Sequence, residues 1–301
     1  MAATIDHNIA DVAHDALDVK FMLPDPRLAA YISGYHVYSA GAVQTVPYHE
    51  WFFPGWANVR FRLCSASWKL GFGSSEPTEV PAASIFGASR SGAHSIAYGG
   101  QFVGFGVTPV GWHRLFGASA HLFVDRLTPL DAVWPGSDAL IEAIAAARDS
   151  ADIKRLFDAV LLARLGPVHP DEALVARLMA LLVSDHDVSI ERAARDLGCS
   201  PVKLRRIALM HFGFPPKLLL RRSRFMKSFV AIYGKPPGDW SQTIDASYVD
   251  QSHFLRDAND FLGMTPSAYL ALERPMTLMS MKVRTQQLGA PVQALHRIGK
   301  G

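Results

Sequence analysis

His253, Arg256 and Asn259 are spaced three residues apart within YVDQSHFLRDANDFLGMTPSAYL, so a helix over 251–262 carries all three near one face. Together they suit the reading of a nucleic-acid edge. Arginine donates two parallel hydrogen bonds to guanine, and asparagine pairs a donor and an acceptor with adenine. Gln251 and Ser252 open the same helix, the serine as a cap or a phosphate contact. A second polar set, Ser200, Lys203, Arg205 and Arg206, stands near the start of a helix expected over 201–212, where a recognition helix meets base edges. Arg221 and Arg224 lie between the two sets on a helix expected over 216–232 and are assigned to phosphates or solvent.

Two similar units must position these side chains. In the first, Ser189 caps a helix bearing Ile190, Ala193, Ala194 and Leu197, Gly198 makes the turn, and Ser200-Pro201 opens the next helix. Helix, glycine-containing turn and capped helix is the grammar of a helix-turn-helix. In the second, a helix over 237–246 leads through Tyr248-Val249-Asp250-Gln251 into 251–262. Gly263 closes that helix and Thr265-Pro266 opens another.

Charge divides the chain in the same place. Residues 1–183 carry 13 Lys/Arg against 17 Asp/Glu, a net −4, and residues 184–301 carry 17 against 10, a net +7. Nine basic residues and no acidic one lie between Asp196 and Asp239. A positive half of this kind favours a polyanion, because phosphate attraction supplies much of nucleic-acid affinity.

The carboxy-terminal pattern resembles the DNA-binding domain of the arabinose-regulator (AraC/XylS) family of bacterial transcription factors. The resemblance is carried by Ala193-Ala194, Leu197, Gly198, Ser200-Pro201, Leu204, Arg206, Gly213, Pro216, Arg221 and Arg224. It continues through Tyr248, Asp250, Gln251, Ser252, His253, Phe254, Arg256, Gly263, Thr265, Pro266 and Tyr269. It is strong over 188–270 and only architectural over 20–165. It implies two recognition helices entering successive major-groove segments, and an amino-terminal domain that binds an effector or dimerises. It also implies contact with RNA polymerase as the commoner route to activation. The chain departs from the family at Ala208 and Ala258, where a buried phenylalanine is usual. Val202, Ile207 and Leu209 stand where polar residues are frequent, and Ser247 replaces a glycine.

In the amino-terminal half, strands are expected over 31–39, 57–64, 67–72, 84–88 and 101–108, separated by turns such as Pro54-Gly55 and Gly99-Gly100. SGAHSIAYGG reads as small and flexible. The spacing suits an antiparallel barrel or double-sheet jelly roll. Trp51, Trp56, Trp68 and Trp112 are candidates to line an effector chamber, with His94 and His113 or Arg114 as polar anchors; a plain packed barrel is the competing reading. His49, His94, His113 and His121 lack the tight spacing of metal ligands, so no metal or cofactor is expected. Helical periodicity over 137–165, with Ser137 as cap and a break near Asp149-Ser150, offers apolar faces to the barrel or to a second copy.

The expected architecture is therefore α+β. A barrel or jelly-roll sensor and dimerisation domain spans 20–165, a connecting helix region 166–183, a tandem helix-turn-helix domain 184–272, and a tail 273–301. The chain has no run of about 18 apolar residues. Its start lacks a basic signal region, and its two cysteines fall in different domains, so a reduced cytoplasmic protein is expected. The reading that follows is a transcriptional regulator with double-stranded DNA, a small effector and a second copy as partners. The alternatives are a sensor or interaction protein without operator reading, or an enzyme in the barrel, for which no compact catalytic set is present in the sequence.

Overall fold

The computed structural model describes residues 17–43, 45–184, 188–233, 235, 240, 244, 248 and 250–296. Its strands are β1 (Leu17–Met22), β2 (Ile32–Ala40), β3 (Tyr48–Phe52), β4 (Asn58–Arg62), β5 (Trp68–Phe72), β6 (Thr78–Glu79), β7 (Ala83–Phe86), β8 (Ala93–Ala97), β9 (Gln101–Val107) and β10 (Leu127–Pro129). One sheet runs β1-β2-β9-β4-β7-β10 and the other β3-β8-β5-β6. The chain alternates between them in the interleaved order of a jelly roll. The two sheets stay separate among the described residues, so the double-sheet form is observed rather than a closed barrel.

β8 corrects the reading of SGAHSIAYGG as merely flexible. Ala93, Ser95 and Ala97 are buried, and their small size leaves room for Trp68, whose indole N–H donates to Ser95 Oγ at 2.7 Å. Small alternating residues carry little hydrophobic signal, although here they set the register of a central strand.

The first sheet is covered on both faces. Tyr38, Phe86 and Phe102 meet Trp68 and Leu70 inside the sandwich, whereas Tyr35, Phe61 and Phe105 point outward beneath helices. α1 (Pro109–Phe116) leaves β9, capped by the Thr108 hydroxyl and closed by Gly117 at φ +65°. α2 (Asp138–Ala145) and α3 (Ser150–Arg164) follow. Their break falls at Asp149, which caps α3 by accepting from Asp152 N–H at 2.8 Å. Ser137, expected to cap α2, makes no cap hydrogen bond. Ile144, Ile153, Phe157 and Leu161 are buried in the outward cluster of the sandwich, so these apolar positions are occupied within the chain.

The carboxy-terminal half is helical: α4 (Glu172–Ser184), α5 (Ile190–Leu197), α6 (Pro201–Ile207), α7 (Pro216–Ile232), α8 (Gln251–Leu262), α9 (Pro266–Ala271) and α10 (Pro275–Leu288). α6 is shorter than the expected 201–212, because Ala208–Phe212 widens into a π turn. The helix expected over 237–246 lies mostly outside the described residues. Within it, Ile244 N–H bonds to the Trp240 carbonyl at 3.0 Å. Ala208 and Ala258 are both sealed from solvent. Phe212 shares a cluster with the first, and Phe225, Phe229 and Phe261 share one with the second.

Neither helical unit stands apart from the sandwich. Trp56, Ala88 and Val110 belong to the core of the first unit, while Trp51 and Phe53 pack on the core of the second. The stretch read as a tail contains α10, which folds back over β1 and β3 and places Met276 in the sandwich interior. Gly34, at φ +138°, permits this approach: a Cβ there would come within 2.7 Å of Leu288.

Candidate nucleic-acid interface and the cavity behind it

The two candidate recognition helices, α6 and α8, start from well-formed caps. Ser200 Oγ accepts from Lys203 N–H at 3.2 Å, and Asp250 accepts from His253 N–H at 2.7 Å. The cap of α8 is therefore Asp250, which leaves the neighbouring Ser252 exposed and free of that task. Gly198 and Gly263 close the preceding and reading helices at φ +69° and +76°.

The basic residues divide into committed and uncommitted groups. Lys203 and Arg206 both reach the buried carboxylate of Asp171, at 3.1 and 2.7 Å. Desolvation pushes the Asp171 pKa up, but the two cations outweigh it and hold the carboxyl below its ordinary value. Arg221 donates to Asp257 at 2.6 Å and pairs with Asp260 at 2.6 Å. Arg224 lies 3.9 Å from Asp257 and over the Tyr248 ring at 4.9 Å. Asp257 also accepts from the Tyr248 hydroxyl at 2.8 Å.

Arg205 and Arg256 are exposed, and neither forms an ion pair among the described residues. The acids flanking Arg256 in sequence, Asp257 and Asp260, are turned toward α7 instead. Gln251 and Asn259 are exposed on the same helix, with Asn259 Nδ2 donating back to the Leu255 carbonyl at 3.0 Å. His253 packs edge-on to Tyr248 at 5.0 Å. It also borders a cleft with Lys217, Arg221 and Arg224 that runs to the start of α5 at Ser189. Lys217 is the one residue of this cationic wall not singled out from sequence as a contact, although Arg221 and Arg224 of the same basic run were.

The proposed chamber residues do not share one chamber. Only Trp68 lines the cavity inside the sandwich. Trp51 stacks on His94 at 4.6 Å on the face toward the second unit, where its carbonyl accepts from Tyr269. Trp56 packs against Phe212 beneath Arg222, and Trp112 is buried under the sheet with its indole N–H on the Ala118 carbonyl. His113 joins His169 and His211 at the junction of α1 with the first unit, with ring centroids 4.5 to 5.8 Å apart. Burial first, then the neighbouring imidazoles, lowers the His211 pKa to about 4. No group of three or more His, Cys, Asp or Glu among the described residues can hold a metal ion, and no described helix is long and apolar enough to cross a membrane.

The cavity has a different lining. Tyr38, Tyr48, Phe52, Arg60 and Trp68 form its walls, and Glu50 and Met276 bring it against α10. Glu50 is buried. One carboxylate oxygen accepts from Met276 N–H at 2.7 Å; the other accepts from Thr277 N–H at 3.1 Å and from its hydroxyl at 2.8 Å. The acid thus satisfies the first turn of α10. Burial raises the Glu50 pKa to about 7 against the opposing effect of these bonds. Sequence pattern concealed Arg60, since alternation in NVRFR places it opposite Val59 and Phe61, where a solvent face is the ordinary expectation.

No family model and no curated protein matches the chain. Among solved structures, ToxT from Vibrio cholerae is 10% identical with a TM-score of 0.43, over 85% of this chain and 98% of that one. Wild-type ToxT from Vibrio cholerae with unsaturated fatty acid bound is 14% identical with a TM-score of 0.40, over 76% and 96%. The AraC-like transcriptional activator CuxR is 14% identical with a TM-score of 0.28, over 76% and 92%.

Proposed function

We propose that this chain is a sequence-specific DNA-binding transcriptional regulator of the arabinose-regulator type, in which the jelly roll senses a small effector. The observation that carries the reading is the second unit. Its capped helix presents Gln251, Arg256 and Asn259 outward, while the adjoining acids are drawn inward to Arg221 and Arg224. An uncommitted arginine beside an asparagine on an exposed helix face is the chemistry of base-edge reading. The cleft bordered by Lys217 and His253 is suited to phosphate contacts, which fix register without reading sequence.

In the first unit, Arg205 is the free candidate, and Lys203 and Arg206 must leave Asp171 before either meets DNA. That pairing favours a second reading, a sensor that retains the fold without reading an operator. Selection of duplexes from a random pool by the purified chain separates the two. A regulator enriches one sequence and loses affinity steeply with salt, whereas recovery of no preferred sequence rejects it. A second copy and RNA polymerase are the further partners of this proposal, and the cytoplasm is its compartment.

A further inference from the structure

Among the described residues, Arg60 is a cation without an anion. Its guanidinium carbon lies 4.7 Å from the Phe86 ring centre, 5.2 Å from Phe52, 5.5 Å from Tyr38 and 5.9 Å from Trp68. Those ring faces attract the charge but offer no acceptor in the plane of its N–H groups. Its Nε is buried without a hydrogen-bond partner, and so is the Tyr48 hydroxyl that borders the same cavity. Glu50, the acid in that lining, is engaged by α10.

Arg284 adds positive charge nearby, burial keeps His36 neutral, and Glu50 is the one acid of the cavity lining among the described residues. Arg284 of α10 is buried over Phe21, with its Nε and one terminal nitrogen unpartnered. His36 is buried with its Nε2 unpartnered. Gly104, between His36 and Arg60 on adjacent strands, has no side chain to separate them: a Cβ there would lie 2.8 Å from His36 Nε2. Burying a guanidinium is costly unless it is paired, and a lone polar hook in an apolar lining is how a small-molecule site fixes orientation.

We infer that the sandwich cavity binds a small carboxylic acid with an apolar body, the carboxylate held by Arg60 and the body seated among the aromatic rings. The planar guanidinium matches a carboxylate through two parallel hydrogen bonds. The cavity is small, about 40 Å³, so the body is narrow or flat and the aromatic walls part to seat it. On the sensor reading above, such an acid is the effector class. Its signal has a short route, because Glu50 and Met276 border the cavity and also seat α10 beside the second reader.

The test is calorimetric titration of the intact chain with octanoate and with trans-cinnamate, each beside its uncharged amide. At least one acid is expected to bind, with its amide at least tenfold weaker. Arg60→Met is expected to abolish that discrimination, and Arg60→Lys to keep part of it. If Arg60→Met does not fold by circular dichroism, Ala97→Leu fills the cavity while leaving Arg60 and must abolish acid binding. Failure of both acids to bind the folded wild-type chain, or equal binding of acid and amide, overturns the inference. Duplex selection on the same preparation separates the two proposals. A preferred duplex without acid binding removes only the carboxylate site, and acid binding without a preferred duplex removes only the DNA reader.

Discussion

Arg221 on α7 donates its Nε–H to Asp257 on α8 at 2.6 Å, and the Asp257 side chain is only 1% exposed. The same carboxylate accepts from Tyr248, and Arg224 lies 3.9 Å away, so one acid anchors the turn and the linking helix to α8. Asp257→Ala strands these donors. Removal of one partner from a buried pair costs about 3–5 kcal/mol. A fall of that size is expected in urea unfolding; a loss below about 1 kcal/mol would show that the network is not structural.

Arg256→Ala is expected to behave differently. Its guanidinium is exposed and unpaired among the described residues, so unfolding stability should stay within about 0.5 kcal/mol. Affinity for the selected duplex should fall by roughly 1–3 kcal/mol, with preference relaxed at one base position. Unchanged binding in a footprint and titration would remove Arg256 from the reading face.

Asp171→Asn tests whether the first reader is restrained. Lys203 and Arg206 exchange their bonds to Asp171 for phosphates if they join DNA. With that competition weakened, duplex affinity should rise several-fold, and the slope of log K against log salt should steepen by roughly 1. Identical salt slopes for mutant and parent would mean that neither cation reaches DNA.

Glu50 makes stability depend on pH. Its pKa is raised from 4.5 to about 7 in the folded chain, so in that window the folded state holds more protons than the unfolded one. The stability it contributes therefore declines as pH rises from about 4.5 to 7 and is level above that, a change on the order of 3 kcal/mol. Unfolding measured from pH 4.5 to 8 should show the decline, and Glu50→Gln should flatten it. Parallel curves for the two proteins would refute this role.

The second unit was legible because its signals are local. Gly263 beside a polar turn, Thr265-Pro266 after it, and apolar residues at helical spacing define α8 and α9 without reference to the rest of the chain. The jelly roll was half legible. β2, β4, β5, β7 and β9 carry enough aromatic and β-branched residues to be recognised. β8 has Ile96 as its one large apolar residue among Ala, His and Ser, and β3 is a run ending in paired aromatics, so neither stood out. α10 escaped notice because Met276, Arg284 and Leu288 do not form one apolar stripe; Met276 and Arg284 are buried, and Leu288 half-buried, only where the sandwich receives them.

Sequence alone determined the class of element at each reading position, since caps, turns and side-chain chemistry act within a few residues of one another. Tertiary structure decided which charges are available. Asp257 is one residue from Arg256 in the chain yet serves Arg221, 36 residues away, because successive helical residues point about 100° apart. Only the packed fold could leave Arg60 without an acid partner among the described residues inside the sandwich, because burial and partner distance are properties of strands and helices brought together from across the chain.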